Sequence, residues 1–246
     1  MQLNELNQEG QYIVTFDPID GSAVMDSNFS VASVFAIWKH QGADLDGLTG
    51  RNQEGAALAV FGSRTTIILY NTQAQRVEEL TLLKMGSKER WIVTVPDLKI
   101  GADAKLFATA LKSSYEIPCY LRLFEHYCLK GLSLRYSGAF AVDCYQFFIK
   151  GHGVYSMLES VAHPSRLQLL YEILPVAFLI EKAGGKTSNG FTSVMDVPIH
   201  GFKQRGAFIG GSSNDVDFIV ETLREEEAKV KADTHPTTIQ KKATHE

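Results

Sequence analysis

Apolar runs separated by turn residues dominate the first hundred residues and predict β-strands. Such runs, rich in β-branched and aromatic side chains, fit the pleated and partly buried surface of a sheet. They occupy residues 11–16, 30–38, 65–70 and 91–95. The Asp17-Pro18 dipeptide is expected to end the first strand and to open a loop. A further apolar run at 56–61, followed by Gly62, favours a short helix.

The pattern changes in the second half of the chain, where longer helical stretches alternate with short strands. Asn214 is expected to cap the last helix, and Gly184-Gly185 stands in the C-cap position of the one before it. We predict helices at 104–113, 122–130, 138–150, 167–183 and 214–231, and short strands at 132–136, 153–157 and 206–210. Because strands and helices mix along the chain, the expected fold class is α/β or α+β with packed layers.

The change of pattern near residues 96–104 indicates a boundary within the chain. We therefore predict one subdomain over residues 1–97 and an α/β subdomain over residues 98–234. Residues 235–246 are polar and lack periodicity, so they are expected to form a disordered tail.

The composition excludes several functional classes. The 246 residues are 45% hydrophobic and 21% charged, and the 24 Lys and Arg against 28 Asp and Glu leave a net charge of −4. This globular, mildly acidic balance argues against broad binding to nucleic acid. Cys119, Cys128 and Cys144 form no CxxC pair, so we expect free thiols in a reducing compartment and no disulfide framework.

The chain also lacks the sequence features of membrane and secreted proteins. No apolar run reaches the roughly 18 residues that span a bilayer, and residues 1–10 have no signal-peptide pattern. We expect a soluble intracellular protein, with cytoplasm and plastid both open, and no membrane or nucleic-acid partner.

Candidate chemistry first appears where the first predicted strand ends, in the segment DPIDGS. Asp17 and Asp20 lie three residues apart in one turn, so both carboxylates can converge on a hard cation, with the carbonyl oxygen of Ile19 between them. Oxygen ligands alone suit Mg²⁺ or Mn²⁺ better than zinc. The N–H groups of Gly21 and Ser22 could hold a phosphate beside that cation. The same residue types also form ordinary Asx-turns, so this segment alone leaves both interpretations open.

Glu172 is the second candidate, since it lies in an apolar helical stretch. A carboxylate in such surroundings is costly unless it is paired, protonated or bound to a metal. Pro175 is expected to kink this helix and to free backbone groups near Glu172. A salt bridge to a buried Arg is the alternative. Together, Asp17, Asp20 and Glu172 make a site for two metal ions conceivable.

Five ordered blocks of this sequence resemble the fructose-1,6-bisphosphatase and sedoheptulose-1,7-bisphosphatase family. Their order and number make the resemblance far more specific than the DPxDG turn alone. The blocks are FDPIDGSAVMDSNFSVASVFAIW, TGRNQEGAALAVFGSRTTIIL, LRYSGAFAVD, LQLLYEILPVAFLIEKAGG and GAFIGGSSNDVDFIVETL. TGRNQ, GSRTT and VMDSNFSV are more similar to the sedoheptulose branch than to the fructose branch.

The resemblance implies a layered α/β/α/β/α fold and Mg²⁺-dependent hydrolysis of the 1-phosphate of a ketose bisphosphate by metal-activated water. By position, it implies that Asp17, Asp20, Glu172 and the carbonyl of Ile19 are metal ligands, and that Asp17 and Asp20 are also catalytic. It further implies that phosphate or sugar would be held by Asp20, Gly21, Ser22, Asp97, Arg135, Tyr136 and Arg166. Since the family's Arg in this block usually crosses a subunit interface, Arg135 implies a homo-oligomer, either a dimer or a tetramer.

Some positions depart from the family's pattern. Ala23 stands where a second Ser is usual, and Gln168 stands where the family usually has an Arg, so a weaker or altered phosphate site is expected. Met157 replaces the Tyr of the fructose enzymes. The resemblance also implies that family members carry further helices and a Glu-Glu pair before the DPxDG turn. Without those helices, an apolar sheet face would be uncovered and the chain would self-associate.

Overall fold

A computed structural model describes residues 10–39 and 45–234 and contains two β-sheets. The first sheet is antiparallel throughout, and its six strands follow one another in chain order. They are β1 (Tyr12–Asp20), β2 (Val31–Lys39), β3 (Gln53–Phe61), β4 (Thr65–Asn71), β5 (Arg76–Met85) and β6 (Lys88–Val95).

The second sheet is mixed and has the order β10-β11-β9-β7-β8. Strand β7 runs parallel to both of its neighbours, and the remaining pairs are antiparallel. The strands are β7 (Leu106–Thr109), β8 (Ser133–Leu134), β9 (Val154–Met157), β10 (Lys186–Ser188) and β11 (Phe208–Gly211). Four helices accompany this sheet: α1 (Pro118–Leu129), α2 (Phe140–Lys150), α3 (Leu174–Lys182) and α4 (Ser213–Thr234).

The main core lies between the two sheets. Helices α2 and α3 pack against β2 and β3 on one side and against strands of the second sheet on the other. Fully buried Trp38, Leu58, Ile68 and Phe147 belong to this core, while a smaller core beneath α1 and α4 covers the far side of the second sheet. The described residues therefore form β/α/β/α layers, one helical layer fewer than the resemblance implies.

One face of the first sheet carries apolar side chains that no described element covers. Strand pairing places these residues on a common surface, which we call the outer face. Val14 and Val93, at its two edges, are 54% and 50% exposed. The outer face comprises Tyr12, Val14, Phe16, Phe35, Ile37, Ala57, Phe61, Ile67, Leu69, Leu80, Leu82, Trp91 and Val93. The apolar sheet face expected from the sequence is exposed among the described residues, and the self-association expected from it stays a prediction.

Most predicted strands and helices are confirmed within a few residues, but three assignments are wrong. Residues 56–61 belong to β3, because an interior strand with apolar side chains on both faces gives an apolar run without alternation. Residues 104–113 contain β7 and a 3₁₀ turn instead of a helix. Strand β1 does not end at Asp17-Pro18 but continues through a bulge to Asp20. In addition, β5 and β10 carried no sequence prediction.

The ends of the helices also differ from expectation. Helix α4 begins at Ser213, so Asn214 lies within its first turn, where the side-chain amide donates to Asp103 instead of capping the helix. The helix continues to Thr234, and residues 235–246 of the predicted tail lie outside the described residues. Gly184 adopts φ +92° just after α3, which confirms the predicted glycine at the helix end.

The described residues also bear on two of the compositional expectations. All three cysteines are free thiols. Among the described residues, no helix combines the length and apolar character needed to cross a membrane.

Candidate metal and phosphate site

Three carboxylates from distant parts of the chain meet at the end of β1. One oxygen each of Asp17, Asp20 and Glu172 can be chosen so that all three atoms lie within 4.8 Å of one another. Asp20 is buried, and the other two are half-buried. The structure therefore brings together the three side chains that the sequence predicted as metal ligands.

A β-bulge forms this end of β1. Asp17 pairs with Val34 and Asp20 with Ala32, so that Pro18 and Ile19 together stand opposite Ser33. The hydroxyl of Ser33 donates to the carbonyl of Pro18 at 2.7 Å. The Ile19 N–H donates to Oδ1 of Asp17 at 3.0 Å, which is the Asx-turn considered as the alternative interpretation. The turn and the carboxylate cluster thus coexist, with Ile19 between the two aspartates.

Glu172 reaches the cluster from a π-helical turn, Leu169–Ile173, which precedes α3. Such turns widen a helix locally and occur often at functional sites. The N–H of Gln168 donates to Oε2 of Glu172 at 2.5 Å and orients the carboxylate. Pro175 lies in the first turn of α3. The π turn continues directly into α3, so the helical stretch expected from the sequence is irregular just before the proline, near Glu172.

Hydrogen bonds also fix this turn to β1. The indole N–H of Trp38 donates to Oγ1 of Thr15 at 3.1 Å. The Thr15 hydroxyl donates in turn to the carbonyl of Leu170, with a long separation of 3.5 Å. Buried side chains of β1 and β2 thus set the position of the Glu172 turn relative to Asp17.

The cluster holds more negative charge than its surroundings neutralise. Burial is the main cause that raises the pKa of Asp20 to about 7. The hydrogen bond from the Ala141 N–H lowers this pKa, and the negative charge of Asp17 raises it. Burial and the neighbouring aspartates also raise the pKa of Glu172. Among the described residues, no Lys or Arg forms an ion pair with any of the three. Closely spaced oxygen donors without a protein cation fit a hard divalent metal.

The residues that follow Asp20 pack against the start of α2. The N–H of Ala141, in the first turn of α2, donates to Oδ2 of Asp20 at 2.8 Å. Gly21 has φ +89°, and a Cβ at this position would lie 2.6 Å from Cβ of Ala139. Position 21 therefore requires glycine on two grounds. Ser22 begins a short 3₁₀ turn directly after it, so both predicted phosphate-binding residues adjoin the carboxylate cluster.

Arg135 and Tyr136 lie on the segment that leads into α2. The Arg135 N–H donates to the carbonyl of Phe107 at 2.8 Å, which fixes this segment beside β7. The side chain of Arg135 is exposed, and Tyr136 is 44% exposed. The chain then passes through Ala139, which touches the Gly21 position. These two candidates thus precede the residues that contact the phosphate turn.

The remaining candidates are Arg166 and Asp97. Arg166 is exposed and lies shortly before the Glu172 turn. Asp97 follows β6, whereas the cluster lies on β1, at the opposite edge of the sheet with four strands between. There Asp97 forms an ion pair with Lys99 at 2.9 Å. The structure does not bring Asp97 to the cluster, because the chain leaves the first sheet at that point.

Two positions that depart from the family's pattern also adjoin the cluster. Ala23 lies in the 3₁₀ turn after Gly21 and offers no hydroxyl. The side-chain oxygen of Gln168 is buried and has no hydrogen-bond partner among the described residues.

The sequence did not reveal that the backbone N–H of Ala141 is a donor to Asp20, because no side-chain pattern marks it. Asp143, in the first turn of α2, is fully buried.

The sequence matches two family models and is similar to enzymes of two kinds. The family model "Fructose-1-6-bisphosphatase, N-terminal domain" matches residues 1–94, and "Fructose-1-6-bisphosphatase, C-terminal domain" matches residues 100–224. The chloroplastic sedoheptulose-1,7-bisphosphatase of Triticum aestivum is 35% identical over 216 residues, which are 87% of this chain and 53% of that protein. A class 1 fructose-1,6-bisphosphatase of Campylobacter jejuni is 32% identical over 75% of this chain and 62% of its own length.

Two crystal structures share the fold. A Toxoplasma gondii protein, provisionally named a sedoheptulose-1,7 bisphosphatase, superposes with a TM-score of 0.83 and 33% identity over 90% of this chain and 72% of its own. The fructose-1,6-bisphosphatase of Leishmania major gives a TM-score of 0.77 and 25% identity over 88% and 71%. The chain spans about half the length of the curated sedoheptulose relatives that it matches.

Proposed function

Since the chain belongs to the fructose-1,6-bisphosphatase family, we propose that it is a Mg²⁺-dependent sugar bisphosphatase of carbohydrate metabolism that removes the 1-phosphate of sedoheptulose 1,7-bisphosphate. The observation that carries this proposal is the carboxylate cluster of Asp17, Asp20 and Glu172, whose oxygens lie within 4.8 Å of one another. It occurs in a chain that matches both family models. The proposed cytoplasmic or plastid location is consistent with bacterial and chloroplast relatives.

The three carboxylates would hold Mg²⁺, or Mn²⁺, as oxygen ligands. When bound, such a metal polarises the phosphoryl group and lowers the pKa of water. Asp17 and Asp20 have the closest link to the reaction, because both lie on the turn that continues into the phosphate-binding residues. The Ala141 N–H holds Asp20, and the Gln168 N–H holds Glu172. The ligand oxygens are therefore oriented before any metal binds.

Gly21 and Ser22 would bind the phosphate that is removed. The turn brings their backbone next to Asp20, and the absence of a side chain at Gly21 allows the close packing of this loop against α2. Arg135, Tyr136 and Arg166 would bind the sugar and its distal phosphate, because they offer two exposed guanidinium groups and a hydroxyl. Asp97 has no place in this proposal, given its position at the opposite edge of the sheet.

Sequence features favour the seven-carbon substrate. The blocks TGRNQ and GSRTT and the residue Met157 are nearer to the sedoheptulose branch, and the wheat relative has the higher identity of the two enzyme classes compared. Phosphate release from the two bisphosphates, measured as kcat/KM at saturating Mg²⁺, tests this choice. A higher kcat/KM for fructose 1,6-bisphosphate would assign the fructose substrate instead. Binding of phosphate without turnover would identify a non-catalytic homologue.

We propose as well that the protein is a homo-oligomer in which a second copy packs on the outer face. Six strands about 4.8 Å apart, each with about eight residues rising about 3.3 Å, give this face an area of roughly 750 Å². A stable interface buries about 800 Å² on each partner. The apolar side chains on this face, identical on both copies, suit a two-fold symmetric contact between sheets.

A further inference from the structure

Asp143 is a fully buried carboxylate. It accepts three hydrogen bonds from the turn that precedes α2. Its Oδ1 accepts from the N–H of Ser137 at 2.8 Å and from the Ser137 hydroxyl at 2.7 Å. Its Oδ2 accepts from the N–H of Gly138 at 3.2 Å. Burial raises its pKa, and the hydrogen bonds from Ser137 and Gly138 lower it. This carboxylate therefore specifies the conformation of the turn that precedes α2.

That turn lies between two parts of the candidate site. Arg135 and Tyr136 come directly before it, and Ala139, directly after it, occupies the space that a side chain at position 21 would need. Gly138 has φ +91°, and a Cβ at this position would lie 3.4 Å from Val24. A shift of this turn would therefore move the two candidate sugar-binding residues relative to the phosphate loop.

Helix α2 completes the connection. Asp143 lies in its first turn, two residues after Ala141, whose N–H holds Asp20. The same turn of helix thus orients a metal-binding carboxylate through its backbone and the preceding turn through a side chain. Neither contact depends on the presence of a ligand.

We propose that Asp143 is a positioning residue that sets the distance of Arg135 and Tyr136 from the phosphate loop, and so determines the affinity for the sugar end of the substrate. This inference rests on the proposed function, because it needs a bisphosphate that spans both parts of the site. It assigns no direct contact with substrate to Asp143. Loss of the turn should weaken binding of the sugar bisphosphate while leaving metal binding nearly unchanged.

The test uses the full chain and compares Asp143→Asn with Asp215→Asn. Asp215 is a matched control, since it is also a buried aspartate in the first turn of a helix, where it accepts from the N–H of Ala104 at 2.6 Å. Calorimetry would give the affinities for Mn²⁺ alone, for inorganic phosphate with Mn²⁺, and for sedoheptulose 1,7-bisphosphate with Mn²⁺. Ser137→Ala, which removes one of the three hydrogen-bond donors to Asp143, provides a milder variant should Asp143→Asn fail to fold.

We expect Asp143→Asn to weaken bisphosphate binding about tenfold, to raise KM with kcat changed less than about threefold, and to leave the affinities for Mn²⁺ and inorganic phosphate unaltered. Ser137→Ala should act in the same direction to a smaller extent, and Asp215→Asn should lower the melting temperature only. Equal bisphosphate affinity in the wild type and in both turn variants would overturn the positioning role alone. Failure of the wild type itself to bind the bisphosphate would overturn the proposed function, and the positioning role with it.

Discussion

The backbone N–H of Ala141 donates a 2.8 Å hydrogen bond to Oδ2 of Asp20, across 121 positions of the sequence. This bond joins the end of β1 to the first turn of α2. Because the N-terminal turn of a helix has unpaired N–H groups and a partial positive charge, it stabilises a carboxylate at this place. This bond holds Asp20 with its carboxylate beside those of Asp17 and Glu172.

Replacement of a metal ligand should abolish metal binding without unfolding the protein. We expect Asp20→Asn to weaken Mn²⁺ binding at least about 100-fold, because one anionic oxygen donor is lost from a site of three. Calorimetric titration with Mn²⁺ measures this directly. Asp26→Asn is the matched control, since Asp26 lies six residues further along the same loop, is exposed and accepts a hydrogen bond from its neighbour Ser27. Equal Mn²⁺ affinity in the two variants would contradict the assignment of Asp20.

The stability of the metal-free protein should fall as the pH rises. The pKa of Asp20 is raised in the folded state to about 7, against about 3.9 in the unfolded chain. The folded state therefore binds the proton of Asp20 more tightly than the unfolded chain does. The stabilisation of the folded state by this proton is complete below pH about 4 and is lost as the pH rises to about 7. Glu172 acts in the same direction.

Thermal unfolding at a series of pH values with EDTA should thus show a melting temperature that declines between about pH 4 and about pH 7, the range bounded by the unfolded and folded pKa of Asp20. Saturating Mg²⁺ should raise the melting temperature most at the upper end of that range, since the metal binds the charged carboxylates. A melting temperature that rises with pH in EDTA would contradict the account of the cluster.

Glycine at position 21 should be indispensable for stability as well as for phosphate binding. Gly21→Ala introduces a side chain at φ +89° and places its Cβ 2.6 Å from Cβ of Ala139. Gly86→Ala is the control, because Gly86 has φ +63° with nothing within 4 Å of the added Cβ. The control should cost about 1 kcal/mol for the left-handed backbone alone, and Gly21→Ala should cost about 1–3 kcal/mol more for the overpacking. Urea unfolding of both variants measures the difference, and equal losses would show that the contact with Ala139 is unimportant.

Self-association through the outer face should respond to charge. We expect sedimentation to show a dimer or higher oligomer for the wild type. Val14→Lys or Val93→Lys should raise the dissociation constant of this oligomer at least about tenfold, because a lysine would be buried in an apolar contact. Leu129→Lys is the control, since Leu129 is 82% exposed on α1. A monomeric wild type, or an oligomer that the outer-face variants do not weaken, would contradict this interface.

The sequence was sufficient to predict those parts of the site that are local or carry a strong compositional signal. Asp17 and Asp20 occur in one turn, and Glu172 is conspicuous as a carboxylate in an apolar stretch. The resemblance to a known family supplied their convergence, which spacing alone left open. Helices α1 and α2 were also predicted, because each has apolar positions at helical spacing.

The parts that sequence reasoning missed depend on tertiary contacts. The run at 56–61 forms an interior strand because it lies between two other strands, a fact that its apolar composition does not express. The π turn at Glu172 depends on a hydrogen bond from Thr15 on β1. The bulge at Pro18 depends on a hydrogen bond from Ser33 on β2. Asp97 was assigned by a loose match of one residue, and the strand order places it away from the cluster.

Phosphate release from sedoheptulose 1,7-bisphosphate, with and without Mg²⁺, tests the central claim most directly when the wild type is compared with Asp20→Asn and Asp26→Asn. We predict Mg²⁺-dependent release by the wild type and by Asp26→Asn, and a loss of at least about 100-fold in kcat/KM for Asp20→Asn. Release by Asp20→Asn at the wild-type rate, or no Mg²⁺-dependent release by the wild type, would contradict the claim that this carboxylate cluster is the active site of a sugar bisphosphatase.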